Sequence, residues 1–192
     1  MPRAGLSTGR VVDEAAALAD QVGLDNLTLA AVAERLGVRL PSLYKHVAGM
    51  PALQRELTLR AKDEMTRVFA RATVGRSRRA ALRALAIAYR DWATEHPGLY
   101  AAGVRAPRAD DAEDQQASAA AFEVVFDALS GYELDEATTI DAVRTLRAAL
   151  HGYIGLEASG AFGMDRPLDD SMEWMLDALD TALTRTDLER SG

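Results

Sequence analysis

The stretch LTLAAVAERLGVRLPSLYKHV, residues 27–47, places two short helical patterns on either side of one Gly-Val step. Thr28 is a side chain able to cap a helix start, and Leu27 and Val32 stand in the spacing of a hydrophobic staple across it. Leu29, Val32, Ala33 and Leu36 recur at helical spacing as a buried stripe. Gly37 then supplies the residue that most readily takes a left-handed conformation after a helix. A second helix is predicted over about Leu40 to Val47. Pro41 is tolerated there because its missing N–H falls in the first turn, where it has no partner to lose. Steep crossing of two such helices needs a small contact residue, which Ala33 provides, while Val38 fills the wedge and Leu36 and Leu43 share the core.

Upstream, Ser7 is an N-cap candidate with Leu6 and Val11 across it. Val11, Val12, Ala15, Leu18, Ala19 and Val22 continue at helical spacing until Gly23. Downstream of Gly49, alanine-rich helical patterns follow at about 51–74, 77–95, 98–105, 117–131, 135–159 and 168–185. They are separated by GRS, HPG, RAPRADDAEDQQ and GMDRP. The acidic stretch Asp110–Gln116 has little to bury and reads as a mobile loop. No strand-like alternation of useful length is present, so the fold class is all-α.

The chain has 192 residues, enough to bury roughly 70% of its unfolded surface. It contains no cysteine, which excludes disulfides, thiolate metal sites and cysteine nucleophiles and suits a reducing cytoplasm. The N-terminus MPRAGLSTGR lacks the apolar core of a secretory signal, and no window is apolar enough for a membrane span. Net charge is −7 but unevenly placed. Residues 1–108 carry 17 Lys and Arg against 10 Asp and Glu, whereas 109–192 carry 5 against 19. The basic front leaves room for a localised footprint on a polyanion, although solvated helix faces of differing sign explain the asymmetry equally well.

The second helix of the 27–47 pair has its polar side free, the arrangement by which a helix-turn-helix offers a recognition helix to the major groove. These residues, with LSTGRVVDEAAALADQVG before them, resemble a TetR-type transcriptional regulator. EHPGLY at 95–100 and LRAALHGYIGLEASGAFGM at 146–164 resemble the C-terminal part of one branch of that family. The resemblance implies an N-terminal three-helix DNA-binding domain, residues 1–50, and a larger helical effector-binding and dimerisation domain, residues 51–192. It implies double-stranded operator DNA, a small-molecule effector and a second copy of the chain as partners, with no cofactor and no membrane. Carried over by position, Thr28, Tyr44 and Lys45 lie near phosphates or base edges, and Arg39, Leu40, Pro41 and Ser42 face the groove. Arg3 and Arg10 add backbone charge from the N-terminal arm. His46 reads as a DNA contact or as a cap or packing residue, and Tyr44 also as an aromatic half buried between helices. Arg39 stands where a small capping residue is common, and Met50 where a lysine often opens the fourth helix.

In the second part, Ile140, Val143, Leu146, Leu150, Tyr153, Ile154 and Leu156 form one predicted buried stripe. Leu168, Met172, Met175, Leu176, Leu179 and Leu183 form another. Gly152, Gly155 and Ala158 permit close approach of a partner helix, giving either a four-helix dimer interface or a monomer core. Trp92, His96, Tyr100, Phe122, Phe126, Tyr153 and Phe162 are candidates to line an effector cavity, although core packing is the commoner role for each taken singly. His96 and His151 lack the neighbours of a metal site. G-x-S-x-G, H-E-x-x-H, P-loop and G-x-G-x-x-G signatures are absent. The expectation is a homodimeric repressor released from a palindromic operator by a small molecule. The alternatives are an activating or ligand-independent regulator of the same build, and an all-helical ligand-binding protein or enzyme whose helix-turn-helix is only structural.

Overall fold

A computed structural model describes residues 6–190, with side chains described to 186. Its helices are α1 (Thr8–Val22), α2 (Leu29–Arg35), α3 (Leu40–Leu43), α4 (Met50–Thr73), α5 (Arg78–Glu95), α6 (Pro97–Gly103), α7 (Ala112–Leu129), α8 (Glu136–Ala158) and α9 (Leu168–Arg190). Short 3-10 turns occupy Leu24–Asn26 and Ser130–Tyr132, and no strand is present among the described residues. No described helix is long and apolar enough to cross a membrane. The chain divides into two compact units, Met1–Glu64 with Glu95–Ser118, and Met65–Thr94 with Ala119–Gly192. Residues 1–50 are therefore only part of the first unit, and Met50 opens a helix that runs on to Thr73.

In the first unit, local chemistry sets the helix ends. The Ser7 side chain accepts from the Arg10 N–H (3.3 Å), and the Gly23 N–H closes α1 on the Ala19 carbonyl (2.8 Å) at φ 85°. Arg3 lies outside the described residues. The α1 face made of Val11, Val12, Ala15, Ala16 and Ala19 is buried, while the Arg35 guanidinium at the end of α2 donates to Glu14 (2.9 Å) and Gln21 (2.7 Å) on α1. The helix predicted over Leu40–Val47 is shorter than expected. Beyond Leu43 the amides of His46 (2.8 Å) and Val47 (3.0 Å) both turn onto the Leu43 carbonyl, and Gly49 at φ 94° ends the segment.

The acidic stretch is a correction to the sequence reading. Asp110–Gln116 is no mobile loop: α7 begins at Ala112, and Asp114 is buried beside Lys62 of α4. The Lys62 ammonium also donates to Ser118 Oγ (2.7 Å), and the Asp114 carboxylate accepts from the Arg108 N–H (2.9 Å). Arg55 of α4 meanwhile bonds Asp111 and Glu113, and its guanidinium holds the Asp111 carboxyl down at about 2. Composition suggested solvation because it could not show the cations waiting on α4.

In the second unit, α5 buries Ala81, Leu82, Leu85, Ala86, Tyr89, Trp92 and Ala93, with Phe69 edge-on to Tyr89 at 5.3 Å. Val143, Leu146, Leu150, Tyr153 and Ile154 of α8 and Met172 and Leu176 of α9 are buried as predicted. Leu156 is not: it is 48% exposed, because two residues beyond Ile154 is about 200° round the helix. Arg90 joins α5 to Glu157 (2.7 Å) and Asp169 (2.6 Å). Tyr132 is fully buried with its hydroxyl on Asp180, and burial beside that carboxylate pushes its phenol above the ordinary range.

Candidate nucleic-acid interface

Thr28 caps α2 by accepting from the Ala31 N–H (3.2 Å), and its exposed hydroxyl keeps a proton to donate outward. Gly37 takes φ 67°. Its N–H reaches the Glu34 carbonyl (2.9 Å) and the Val38 N–H reaches that of Ala33 (3.0 Å), so the turn is closed by its own backbone. These two devices hold the start of α3 in a fixed direction relative to α2.

Across α3 and the following turn, burial alternates sharply by face. Leu43 and Val47 are 0% and 4% exposed and anchor the segment. Arg39, Leu40, Pro41, Tyr44 and Lys45 are exposed, and Ser42 and His46 are half-buried. Tyr44 is 56% exposed, which a ring packed between helices would not be. Arg39 occupies the N-cap position of α3 without a side-chain cap bond, at extended φ and ψ of −77° and 142°. The His46 carbonyl accepts from the Thr8 hydroxyl (3.2 Å), tying the end of the turn back to α1. The exposed set thus combines two cations, an aromatic with a hydroxyl, and a small apolar step, a mixture suited to phosphates and groove edges.

The seven candidate effector residues fall in both units. His96 and Tyr100 belong to the first unit. There His96 is the N-cap residue of α6, with Nδ1 3.2 Å from Asp20, and Tyr100 is buried. In the second unit Trp92 and Tyr153 are buried, Phe122 is half-buried, and Phe126 and Phe162 are more than a third exposed. The Tyr153 and Phe162 rings meet at 5.0 Å, and the Tyr153 hydroxyl donates to the Leu168 carbonyl. A cleft of about 750 Å³ in this unit has none of the seven in its lining, which includes Ala84, Ile87 and Ala88 together with Arg76, Arg79 and Arg83. Arg79 and Arg83 are already engaged by Asp177 (2.8 Å) and Glu173 (2.7 Å). Among the described residues, no group of three His, Cys, Asp or Glu side chains is arranged to hold a metal ion.

Sequence reasoning passed over Trp174, which is 73% exposed on α9 between the buried Met172 and Leu176. Its signal was available, since position 174 falls off the 172–176 stripe. Leu156 and Met164 are also exposed, and a Cβ added at Gly152 or Gly155 would meet nothing within 4 Å. These apolar side chains of the second unit face water, and α8 carries two glycines with open space around them.

The comparisons agree with this geometry. A family model described as bacterial regulatory proteins, tetR family, matches residues 11–57, and a tetracyclin repressor-like C-terminal domain model matches residues 82–179. The chain is 35% identical over 178 residues to the HTH-type transcriptional regulator YobS of Bacillus subtilis (strain 168), covering 91% of each. It is 38% identical over 158 residues to the HTH-type transcriptional regulator Rv0681 of Mycobacterium tuberculosis, covering 82% of this chain and 72% of that protein. Among solved structures, a TetR variant from Acinetobacter baumannii AYE in complex with minocycline shares the fold. Its TM-score is 0.71 at 23% identity, over 94% of this chain and 98% of that one. The chain belongs to the TetR family of bacterial transcriptional regulators.

Proposed function

We propose that this protein is a homodimeric, cytoplasmic repressor that leaves a palindromic operator when a small molecule binds its second part. In function, residues 1–50 read DNA, and residues 51–192 dimerise and take the effector. The observation that carries the DNA assignment is the exposed row Arg39, Leu40, Pro41, Tyr44 and Lys45 over the fully buried Leu43. Thr28, Ser42 and His46 flank that row. Two such helices in a two-fold dimer enter successive major grooves when they stand about 34 to 36 Å apart, and an effector acts by changing that separation.

The dimer assignment rests on Trp174, Leu156, Gly152 and Gly155, an apolar and unobstructed surface on the acidic half of the chain. The effector assignment is supported by the Acinetobacter TetR, which is in complex with minocycline. Trp92, His96, Tyr100, Phe122, Phe126, Tyr153 and Phe162 are the residues we assign to effector contact. Differential affinity of the effector for the two states typically supplies a coupling of about 1 to 3 kcal/mol, about a 5- to 150-fold change in operator affinity.

The test is operator binding, measured by fluorescence anisotropy over a range of salt on fragments selected from genomic DNA. Lys45→Ala weakens binding across sequences and lowers the salt slope by about one, while Tyr44→Ala weakens it with the slope kept. Helicity and mass stay unchanged in both. Wild-type affinity in both variants refutes the assignment of the recognition face.

A further inference from the structure

The cleft of the second unit that holds none of the seven effector candidates is built by α5 and the end of α4. Leu82, Leu85, Tyr89 and Trp92 bury one side of α5. Positions 80, 84, 87, 88 and 91 recur at helical spacing on another, and all five line the cleft. Its apolar members on α5 are three alanines and Ile87, and α4 adds Ala72. Ala72, Ala84, Ile87 and Ala88 are half-buried. Methyl-sized side chains on neighbouring turns leave a hollow of about 750 Å³, a volume in the range of small-molecule sites.

Polar groups are placed unevenly along this hollow. Arg76, Arg79 and Arg83 stand towards the turn between α4 and α5, and Asp91, the one carboxylate of the lining, lies about 12 Å further along α5 than Arg83. Ala84, Ile87 and Ala88 fall between. The two α5 arginines are oriented from α9: Arg79 Nε donates to Asp177 (2.8 Å), and Arg83 Nε lies 2.7 Å from Glu173. Arg76 turns back onto the Ala72 carbonyl. A guanidinium has five N–H donors, so a fork aligned through Nε by one carboxylate keeps donors for a second acceptor. The Arg79 and Arg83 side chains are 51% and 48% exposed, and ion pairs so exposed are weak enough to be shared or exchanged.

We propose that this cleft binds an organic acid with a single carboxylate and an apolar body about 12 Å long. The carboxylate sits at Arg79 and Arg83, where its plane matches the arginine fork. The body covers Ala84, Ile87 and Ala88, and its removal from water adds to the affinity. Asp91 at the far end disfavours a ligand that carries a second acid there. Occupancy needs no DNA and none of the residues assigned to effector contact.

The experiment titrates decanoate into the full-length protein by isothermal calorimetry, and binding saturates at one site. Arg79→Ala and Arg83→Ala each weaken it about tenfold. Decanedioate, which brings a carboxylate to Asp91, binds about tenfold more weakly than decanoate. Glu173→Gln separates recognition from structure. It breaks the same ion pair as Arg83→Ala but releases the guanidinium to the ligand, so it tightens binding about threefold. A purely structural link between α5 and α9 predicts that both variants weaken it. Phe122→Ala leaves decanoate affinity within a factor of about two, since that ring is outside the cleft. Circular dichroism checks the helicity of every variant, and Arg83→Gln is read in place of Arg83→Ala if the alanine variant loses it. Any one of four results overturns the assignment: no saturable binding, affinity unchanged in both arginine variants, equal affinity for decanedioate, or weaker binding in Glu173→Gln. A larger loss in Phe122→Ala than in Arg83→Ala also overturns it, by placing the ligand among the aromatic residues instead.

Discussion

Lys62→Met offers the sharpest test of how the first unit is held together. Lys62 and Asp114 have side chains 4% and 5% exposed, so the pair sits out of water, with Ser118 Oγ and the Arg108 N–H completing its bonds. Methionine matches the length of the lysine stem but leaves the Asp114 carboxylate with the Arg108 N–H and no cation. Breaking a buried pair from one side costs about 3 to 5 kcal/mol, a large share of a total stability of about 5 to 15 kcal/mol. For a chain of this size that is a fall in Tm of about 6 to 20 °C. Adding Asp114→Asn removes the stranded charge and keeps an acceptor for Arg108, so the double variant recovers to within about 1 kcal/mol of wild type. Urea unfolding followed by circular dichroism measures all three proteins. A single variant that loses less than about 1 kcal/mol, or a double variant no more stable than the single, refutes the reading of this contact as a buried, mutually dependent pair.

Two further outcomes follow from surface chemistry. Asp111 is held at about 2, below the ordinary carboxylate value of about 3.9. A depressed folded-state pKa gives stability that is complete above the unfolded value and is lost as pH falls through the folded one. The urea-midpoint gap between wild type and Asp111→Asn is thus full near pH 6 and closes between about pH 4 and pH 2; a gap unchanged across that range contradicts the Arg55 pairing. Gly152→Leu adds a side chain where nothing lies within 4 Å and replaces a poor helix former, so it raises the thermal stability of the fold by up to about 1 kcal/mol. It also halves the mass measured by sedimentation, and a dimer that survives it places the interface elsewhere.

The features legible in the sequence are those whose cause lies within one turn of helix. Ser7, Thr28, Gly23 and Gly37 cap or end helices by bonds that span three to five residues, and residue type alone names them. The buried stripes of α1 and α8 follow from the helical period, and so does Leu43 beneath an exposed face of α3. Leu156 misled because it is apolar yet off the stripe, and Trp174 was missed because it lies between two stripe residues.

What the sequence determined by itself is therefore the all-α class, the helix boundaries near their caps, and the helix-turn-helix with its outward side chains. These depend on propensity, periodicity and backbone bonds to near neighbours. Tertiary structure alone decided that Asp111 and Asp114 meet Arg55 and Lys62 more than fifty residues away, and that Gly98 packs on the backbone of Ala19 with Asp20 capping α6. It also decided that the effector candidates divide between two units. The physical reason is common to all three: a charge, a glycine or an aromatic ring takes its role from whatever is folded against it, and nothing along the chain records that neighbour.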